Sequence, residues 1–161
     1  MPDLGLLVLR LALAAALVAH GAHVLFGFLP GPGIGSGGLA DTAARYAQWH
    51  LQPAYVLAIV AGLTQLVGGV LIAVGWFTRW AAAAALIYIG VGIWVEHRKW
   101  GMFLNWVMAP GQGHGLEYSI LFAGALMCLI LSGAGDASID GRRSLHRASR
   151  AAGRERLRRR S

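Results

Sequence analysis

Residues 54–95 read AYVLAIVAGLTQLVGGVLIAVGWFTRWAAAAALIYIGVGIWV, and this stretch decides which solvent the chain occupies. A short turn, Thr78–Trp80, divides it into two apolar segments, Ala54–Trp76 and Trp80–Val95. Each segment approaches or exceeds the ~18 apolar residues that argue for a membrane helix. The tight connection predicts two antiparallel helices that cross a membrane side by side.

Two more apolar segments flank this stretch, Leu4–Phe26 and the shorter Tyr118–Leu131. Hydrophobic residues make up 57% of the 161 residues and charged residues 13%, which is about half the charged share of an ordinary soluble domain. We therefore predict an all-α protein: a four-helix transmembrane bundle over residues 1–140, with an outer Gly-rich loop at 27–38 and a basic tail at 141–161. The first segment is interpreted as a retained helix, because Asp3 precedes it where a signal peptide carries Lys or Arg.

Nine of the arginines lie in the tail, which supplies most of the net charge of +7. Cationic residues collect on the cytoplasmic side of membrane helices. The sequence therefore predicts a multi-pass protein of the cell (inner) membrane with both termini in the cytoplasm, and it places Arg10 and Arg79 on that side. The tail either rests on anionic lipids or is solvated. Because the basic excess nearly vanishes without it, we expect membrane lipids and no nucleic acid as partners.

Five histidines lie near the segment ends that this orientation places outside. His20 and His23 end the first helix, Glu96 and His97 follow the third, and Glu117 opens the fourth. Imidazole and carboxylate groups suit proton exchange with a quinone, a transition metal or a haem iron. The same residue types also gather wherever polar residues mark helix ends. We predict a pocket in which His20 exchanges protons with Glu117 as its carboxylate counterpart, and in which His23, Glu96 and His97 bind a small redox partner.

Sequence signals for the common cofactors are missing. The chain has no CxxCH for covalent haem, no P-loop and a single cysteine, Cys128, which excludes an iron–sulfur cysteine set and an intrachain disulfide. We expect neither haem nor a bound metal, and the cofactor stays open with a quinone as the candidate.

Arg10 lies within the first span. An ionisable residue at mid-membrane costs at least ~2.5–3.5 kcal/mol unless it is paired or snorkels to the surface. Snorkelling is one explanation for Arg10. The other is a polar partner on the second span, where Gln65 can accept from a guanidinium without neutralising it. Under either explanation the predicted role is structural.

Several motifs, in their order and spacing, resemble the DoxX family: LRLALAAALVAHG (9–21), LFGF (25–28), LTQLVGGVLIAVGWFTR (63–79), HGLEYSI (114–120) and GAGDASID (133–140). The resemblance implies a four-helix membrane bundle, and it implies structural or pocket roles for Glu117 and Asp140. Some members are named as subunits of quinone-linked oxidoreductases or terminal quinol oxidases. The family often has Glu where this chain has Gln65, and a Lys shortly after the His-Gly of His20.

The leading functional hypothesis is a small subunit of a quinone-linked membrane redox system that works with a larger membrane or redox protein. The alternative is a non-catalytic assembly subunit whose polar residues only tie helix ends together. A solute transporter is disfavoured, because the sequence lacks broken helices and an inverted repeat. A homo-oligomer is left open.

Overall fold

The computed structural model describes residues 2–29, 36–144 and 146. These residues form five α-helices, one 3-10 helix and a short helical stretch at 139–144, and they contain no strand. The helices are α1 Pro2–Phe26, α2 Gly38–Gln48, α3 Ala54–Val74, α4 Thr78–Val95, the 3-10 helix His97–Trp100 and α5 Glu117–Ser132. The predicted all-α bundle of four apolar helices is confirmed, with α2 added at one end. Parts of the Gly-rich loop (30–35) and of the basic tail (145 and 147–161) lie outside the described residues.

Three helices are long and apolar enough to cross a membrane. They are Leu4–Phe26, Ala54–Val74 and Thr78–Val95, with mean hydropathies of 2.0, 2.3 and 1.4. The fourth bundle helix, α5, is apolar but has only 16 residues. Their outward faces carry exposed aliphatic side chains such as Val8, Val67 and Ile87. Such faces are stable against lipid, and the chain is therefore a membrane protein.

Helix α1 packs most closely on α3, and glycines allow the approach. A β-carbon at Gly21 would collide with the backbone of Leu66, and one at Gly69 would press on Leu17. Lipid supplies no hydrophobic drive between helices, so close backbone contact of this kind stabilises their association. The core that results is made of small and aliphatic residues and one aromatic residue: Leu13, Ala14, Leu17, Ile72, Ala81, Ala82, Ala85, Phe122, Leu126 and Leu129.

One end of the bundle, hereafter the Arg10 end, combines the start of α1, the α3–α4 turn and residues 133–144. Gly75 ends α3 in the left-handed conformation (φ 69°), which favours glycine. The carboxylate of Asp140 accepts hydrogen bonds from the backbone amides of Phe77 (3.1 Å) and Thr78 (3.0 Å), at the start of α4. The Asp140 amide donates to the Gly75 carbonyl at 2.9 Å. These three hydrogen bonds hold Asp140, in the segment after α5, against the turn between α3 and α4.

Arg10 is the central residue of this end and is only 1% exposed. Its guanidinium donates to the carbonyl oxygens of four residues: Ile72 (2.9 Å), Ala73 (2.7 Å), Ala134 (2.8 Å) and Ala137 (3.1 Å). The side chain therefore does not snorkel to the surface. Gln65 is not its partner either, because Gln65 Nε2 donates to the Ala61 carbonyl at 3.2 Å within its own helix. The positive charge is satisfied by carbonyl oxygens at the C-terminal end of α3 and in the loop after α5.

Candidate functional site

The opposite end of the bundle, hereafter the α2 end, contains α2, the last turns of α1 and α4 and the first turns of α3 and α5. All five residues predicted to form a redox pocket belong to this end. The structure divides them into two sets. His20 and His23 belong to α1, whereas Glu96 and His97 follow α4 and Glu117 is the first residue of α5, at the other end of the segment that joins α4 to α5.

The two α1 histidines have different surroundings. His20 is exposed on the bundle, and it lies close enough to His23 for the two rings to interact electrostatically. His23 is buried, with Nδ1 at 3.1 Å from the Phe28 carbonyl and its ring packed against the backbone of Gly37. His23 thus holds the chain where it leaves α1, and His20 is the more accessible imidazole.

The other set organises the segment between α4 and α5. Glu96 accepts from Trp100 Nε1 at 3.0 Å and pairs with Lys99 at 3.0 Å. His97 Nδ1 lies 2.9 Å from the His114 carbonyl. Burial tends to raise the pKa of Glu96, but the hydrogen bonds from Trp100 and Lys99 and the nearby positive charges outweigh burial and lower that pKa.

The carboxylate of Glu117 accepts from the Leu104 backbone amide at 3.2 Å, which anchors the loop to the start of α5. Within residues 2–29, 36–144 and 146, no group of three or more His, Cys, Asp or Glu side chains is arranged to hold a metal ion. The arrangement therefore gives proton-exchanging and hydrogen-bonding groups, divided between two elements.

A different group of polar side chains meets inside the bundle at this end. Tyr88 of α4 interacts with the Gln65 side chain and with the hydroxyl of Tyr46, which arrives from α2. Thr42 lies one helical turn before Tyr46, and its buried hydroxyl has no hydrogen-bond partner among the described residues. We refer to Thr42, Tyr46, Gln65 and Tyr88 as the polar layer.

Sequence reasoning did not assign Tyr46 or Tyr88 to the site. A signal was available, because Tyr88 follows Ala81 and Ala85 at the i, i+4, i+7 spacing of one helix face. A tyrosine on the face that packs into a core requires a hydrogen-bond partner for its hydroxyl. Burial raises the pKa of Tyr46, and this outweighs the opposing effects of the Tyr88 hydrogen bond and the Arg45 charge. Tyr46 therefore stays protonated and can donate.

The depth of the polar layer in the bundle follows from the contact between α1 and α3. Gly21 touches the backbone of Leu66, so their sequence neighbours His20 and Gln65 lie at the same level. The buried amide and the accessible imidazole thus share one layer, one helical turn beyond the apolar core. The polar layer contains neutral hydrogen-bond donors and acceptors. The Thr42 hydroxyl has no hydrogen-bond partner among the described residues.

A comparison with protein families finds that the DoxX model matches residues 5–98, more than half of the chain. The chain belongs to the DoxX family. The matched DoxX region begins in α1 and ends just after α4, so it includes Arg10 and the polar layer but neither Glu117 nor Asp140. Searches of curated proteins and of solved structures gave no match. Family membership and the apolar helices together establish a DoxX membrane protein.

Proposed function

We propose that this DoxX protein is a small subunit of a quinone-linked membrane redox system and that its polar layer receives the quinone headgroup. The observation that carries the proposal is the grouping of Tyr46, Gln65 and Tyr88 one helical turn from the buried Thr42 hydroxyl. This hydroxyl and that of Thr78, at the Arg10 end, have no hydrogen-bond partner among the described residues. A buried polar group without a partner costs about 1–3 kcal/mol, so a ligand oxygen that bonds it is favoured. The carbonyl oxygens of a quinone are acceptors and match this donor.

The neighbouring side chains suit the same ligand. Tyr46 and Tyr88 carry hydroxyl donors, and Gln65 offers a carboxamide that can both donate and accept. The exposed apolar faces of the helices would allow the isoprenoid tail of the molecule to extend into lipid. A bound quinone would supply two-electron, two-proton carrier chemistry, with electrons from a larger redox partner. His20, which is exposed on the bundle, would exchange protons with solvent.

The test is a titration of the purified protein in nanodiscs with a short-chain quinone analogue. Tyr88→Phe and Thr42→Val each remove one hydroxyl and retain the shape of the side chain. Each should weaken binding by about 2- to 12-fold, the range that one hydrogen bond contributes. The matched control is Tyr55→Phe, which makes the same change at an exposed tyrosine at the start of α3.

Saturable binding that both buried variants weaken and the control preserves would support the site. Equal affinity in all three variants would contradict it. The earlier pocket of histidines and carboxylates is tested in the same assay by the His20→Ala, Glu117→Ala double mutant. If the double mutant weakened quinone binding and Tyr88→Phe did not, the site would be assigned to His20 and Glu117 instead of the polar layer.

A second function is favoured by the loop between α4 and α5. Its segment 102–108 exposes Met102, Phe103, Trp106, Val107 and Met108. Exposed apolar side chains in such density mark protein or membrane contacts. A non-catalytic assembly subunit would co-purify with a larger partner through this loop and would bind no quinone. Substituting Phe103 and Trp106 by Ser should then abolish co-purification and leave the quinone titration unchanged.

We also propose that the protein lies in the cell membrane with both termini in the cytoplasm. Arg10, Arg79, Arg142 and Arg143 lie at the Arg10 end, and the arginines of the tail follow that end in sequence. The positive-inside rule then orients this end toward the cytoplasm. A fluorescent reporter fused after Ser161 should fluoresce in the cytoplasm. An active alkaline phosphatase at the same position would reverse the orientation.

A further inference from the structure

A groove of about 300 Å³ lies at the α2 end, where α4 leaves its apolar span. It is lined by Trp49, Trp94, Val95, Arg98 and Lys99. Val95 is the last residue of the span, so the groove lies at the depth where lipid headgroups meet the acyl chains. Two indoles at this depth are typical of the aromatic belt at a membrane interface.

The charges that face the groove favour an anion. The guanidinium of Arg98 stacks on the Trp94 ring, 4.0 Å from its centroid, and forms no ion pair among the described residues. Lys99 pairs with Glu96 at 3.0 Å, so this second cation is balanced by a carboxylate. The groove therefore carries one net positive charge on a planar group that can bond two oxygens of a phosphate at once.

An exposed apolar stripe continues from the groove along α4. Trp94, Val91 and Ile87 follow one another at helical spacing and are 66%, 45% and 70% exposed. Gly90 lies between them without a side chain, and a β-carbon there would meet open space. Arg98 follows Trp94 by four residues, beyond the end of α4. A cation is thus followed by two indoles and then by a shallow apolar track that runs toward the membrane interior.

We propose that this groove binds an anionic phospholipid. The phosphodiester pairs with Arg98, with Lys99 at its side, and the headgroup lies between Trp49 and Trp94. One acyl chain follows the stripe of Val91 and Ile87. A free inorganic anion would use the same cation but would gain nothing from the stripe. The stripe is the reason for assigning the site to a lipid.

The experiment measures lipid adducts by native mass spectrometry, with the full-length protein in a neutral detergent. Phosphatidylglycerol and phosphatidylcholine of equal chain length are titrated separately, and glycerol phosphate is added as a soluble competitor. Arg98→Gln should weaken phosphatidylglycerol binding about fivefold, and Arg98→Gln with Lys99→Gln about thirtyfold, at the usual contribution of a cation near an anionic surface. The control is Arg45→Gln, which removes one charge at the same end outside the groove.

Preferential phosphatidylglycerol binding that the groove variants lose and Arg45→Gln keeps would support the site. Equal binding of phosphatidylcholine, or equal loss in the control, would show that no charge-specific groove exists. Displacement by glycerol phosphate at the concentration of the lipid would show that the site takes a free anion and that the stripe plays no part. Ile87→Ser separates a lipid from a free anion in a second way. It should weaken lipid binding while the charge of the groove stays the same. The quinone titration is a separate readout, so failure of one proposal leaves the other standing.

Discussion

At the Arg10 end a single guanidinium donates to four carbonyl oxygens, whereas at the α2 end the polar layer groups hydroxyl and amide side chains near the Thr42 hydroxyl. Thr42 and, at the Arg10 end, Thr78 each have a buried hydroxyl without a partner among the described residues, but only Thr42 lies beside such a group. The guanidinium and the polar layer both lie inside an apolar bundle, where a polar atom requires a partner. The guanidinium is saturated by backbone atoms from α3 and from the segment after α5. The Thr42 hydroxyl retains bonding capacity next to Tyr46.

The two ends therefore differ in role: the Arg10 end stabilises the fold, and the α2 end has side chains that can bind a ligand. A fixed cation with four acceptors holds one geometry, since any shift would leave several buried carbonyls without a donor. Tyrosine and threonine hydroxyls rotate, and each can donate and accept, so they can exchange an internal partner for a ligand at small cost. We therefore assign structural closure to the Arg10 end and recognition to the α2 end. The predictions below test that division.

The largest expected effect is that of Arg10→Met. It removes the donors for Ile72, Ala73, Ala134 and Ala137 together, and each buried carbonyl left without a donor costs about 1–3 kcal/mol. Arg10→Lys keeps the charge but offers one compact donor group, so it should fall between Met and the parent protein. Thermal unfolding of the detergent-solubilised protein measures the loss.

Arg79→Gln is the matched control for Arg10. Arg79 lies at the same end but is exposed and donates to the Leu131 carbonyl at 3.1 Å. Its substitution should change stability by less than about 1 kcal/mol. If Arg10→Met were no more harmful than Arg79→Gln, the Arg10 end would not be the structural anchor of the bundle.

A smaller effect is expected from Asp140→Ala. The Asp140 carboxylate accepts from the amides of Phe77 and Thr78 and so caps α4, a contribution worth about 1–2 kcal/mol. Glu117→Ala provides the counterpart at the α2 end, because Glu117 accepts from a single loop amide, that of Leu104. Asp140→Ala should lower the melting temperature of the whole bundle. Glu117→Ala should instead increase hydrogen exchange in residues 101–116, and a global loss of stability in both variants would contradict the division.

The smallest effect concerns pH. The pKa of Glu96 is lowered in the folded protein, so its contribution to stability is present above the unfolded value of 4.5 and is lost as pH falls through the folded value. Because the carboxylate is partly exposed, the loss between about pH 5 and pH 3 should stay below about 1 kcal/mol. Glu96→Gln should remove this part of the pH dependence and keep an acceptor for Trp100. An unchanged acid profile in that variant would mean that the contacts of Glu96 add nothing to stability.

The helices were predictable because lipid imposes a simple requirement on sequence. A span must satisfy its backbone internally and expose apolar side chains, so Ala54–Val74 and Thr78–Val95 are visible as uninterrupted apolar runs. The partners of Arg10 were not predictable in the same way. They are backbone carbonyls, which every residue has, and only the folded turn after α5 brings them to the guanidinium.

The site was predictable only in part for a related reason. Helix ends place His20 and Glu117 at one end of the bundle, but sequence does not give the rotation of each helix about its axis. The contacts that the structure gives these two residues lie in separate elements, and their joint pocket stays a prediction. Tyr88 could have been found from its spacing to Ala85, because helix periodicity does report which face a residue occupies.

The hydrogen bonds of Arg10 also set an order for biosynthesis. Arg10 enters the membrane with the first helix, while Ile72 and Ala73 are synthesised about two helices later and Ala134 and Ala137 only after the last one. Until then the guanidinium has to be held by water, headgroups or the insertion machinery. A nascent chain that ends at Ser132 lacks two of the four acceptors. Completion of the bundle therefore depends on residues that are synthesised after α5, and a chain that terminates directly after α5 should be inserted but unstable.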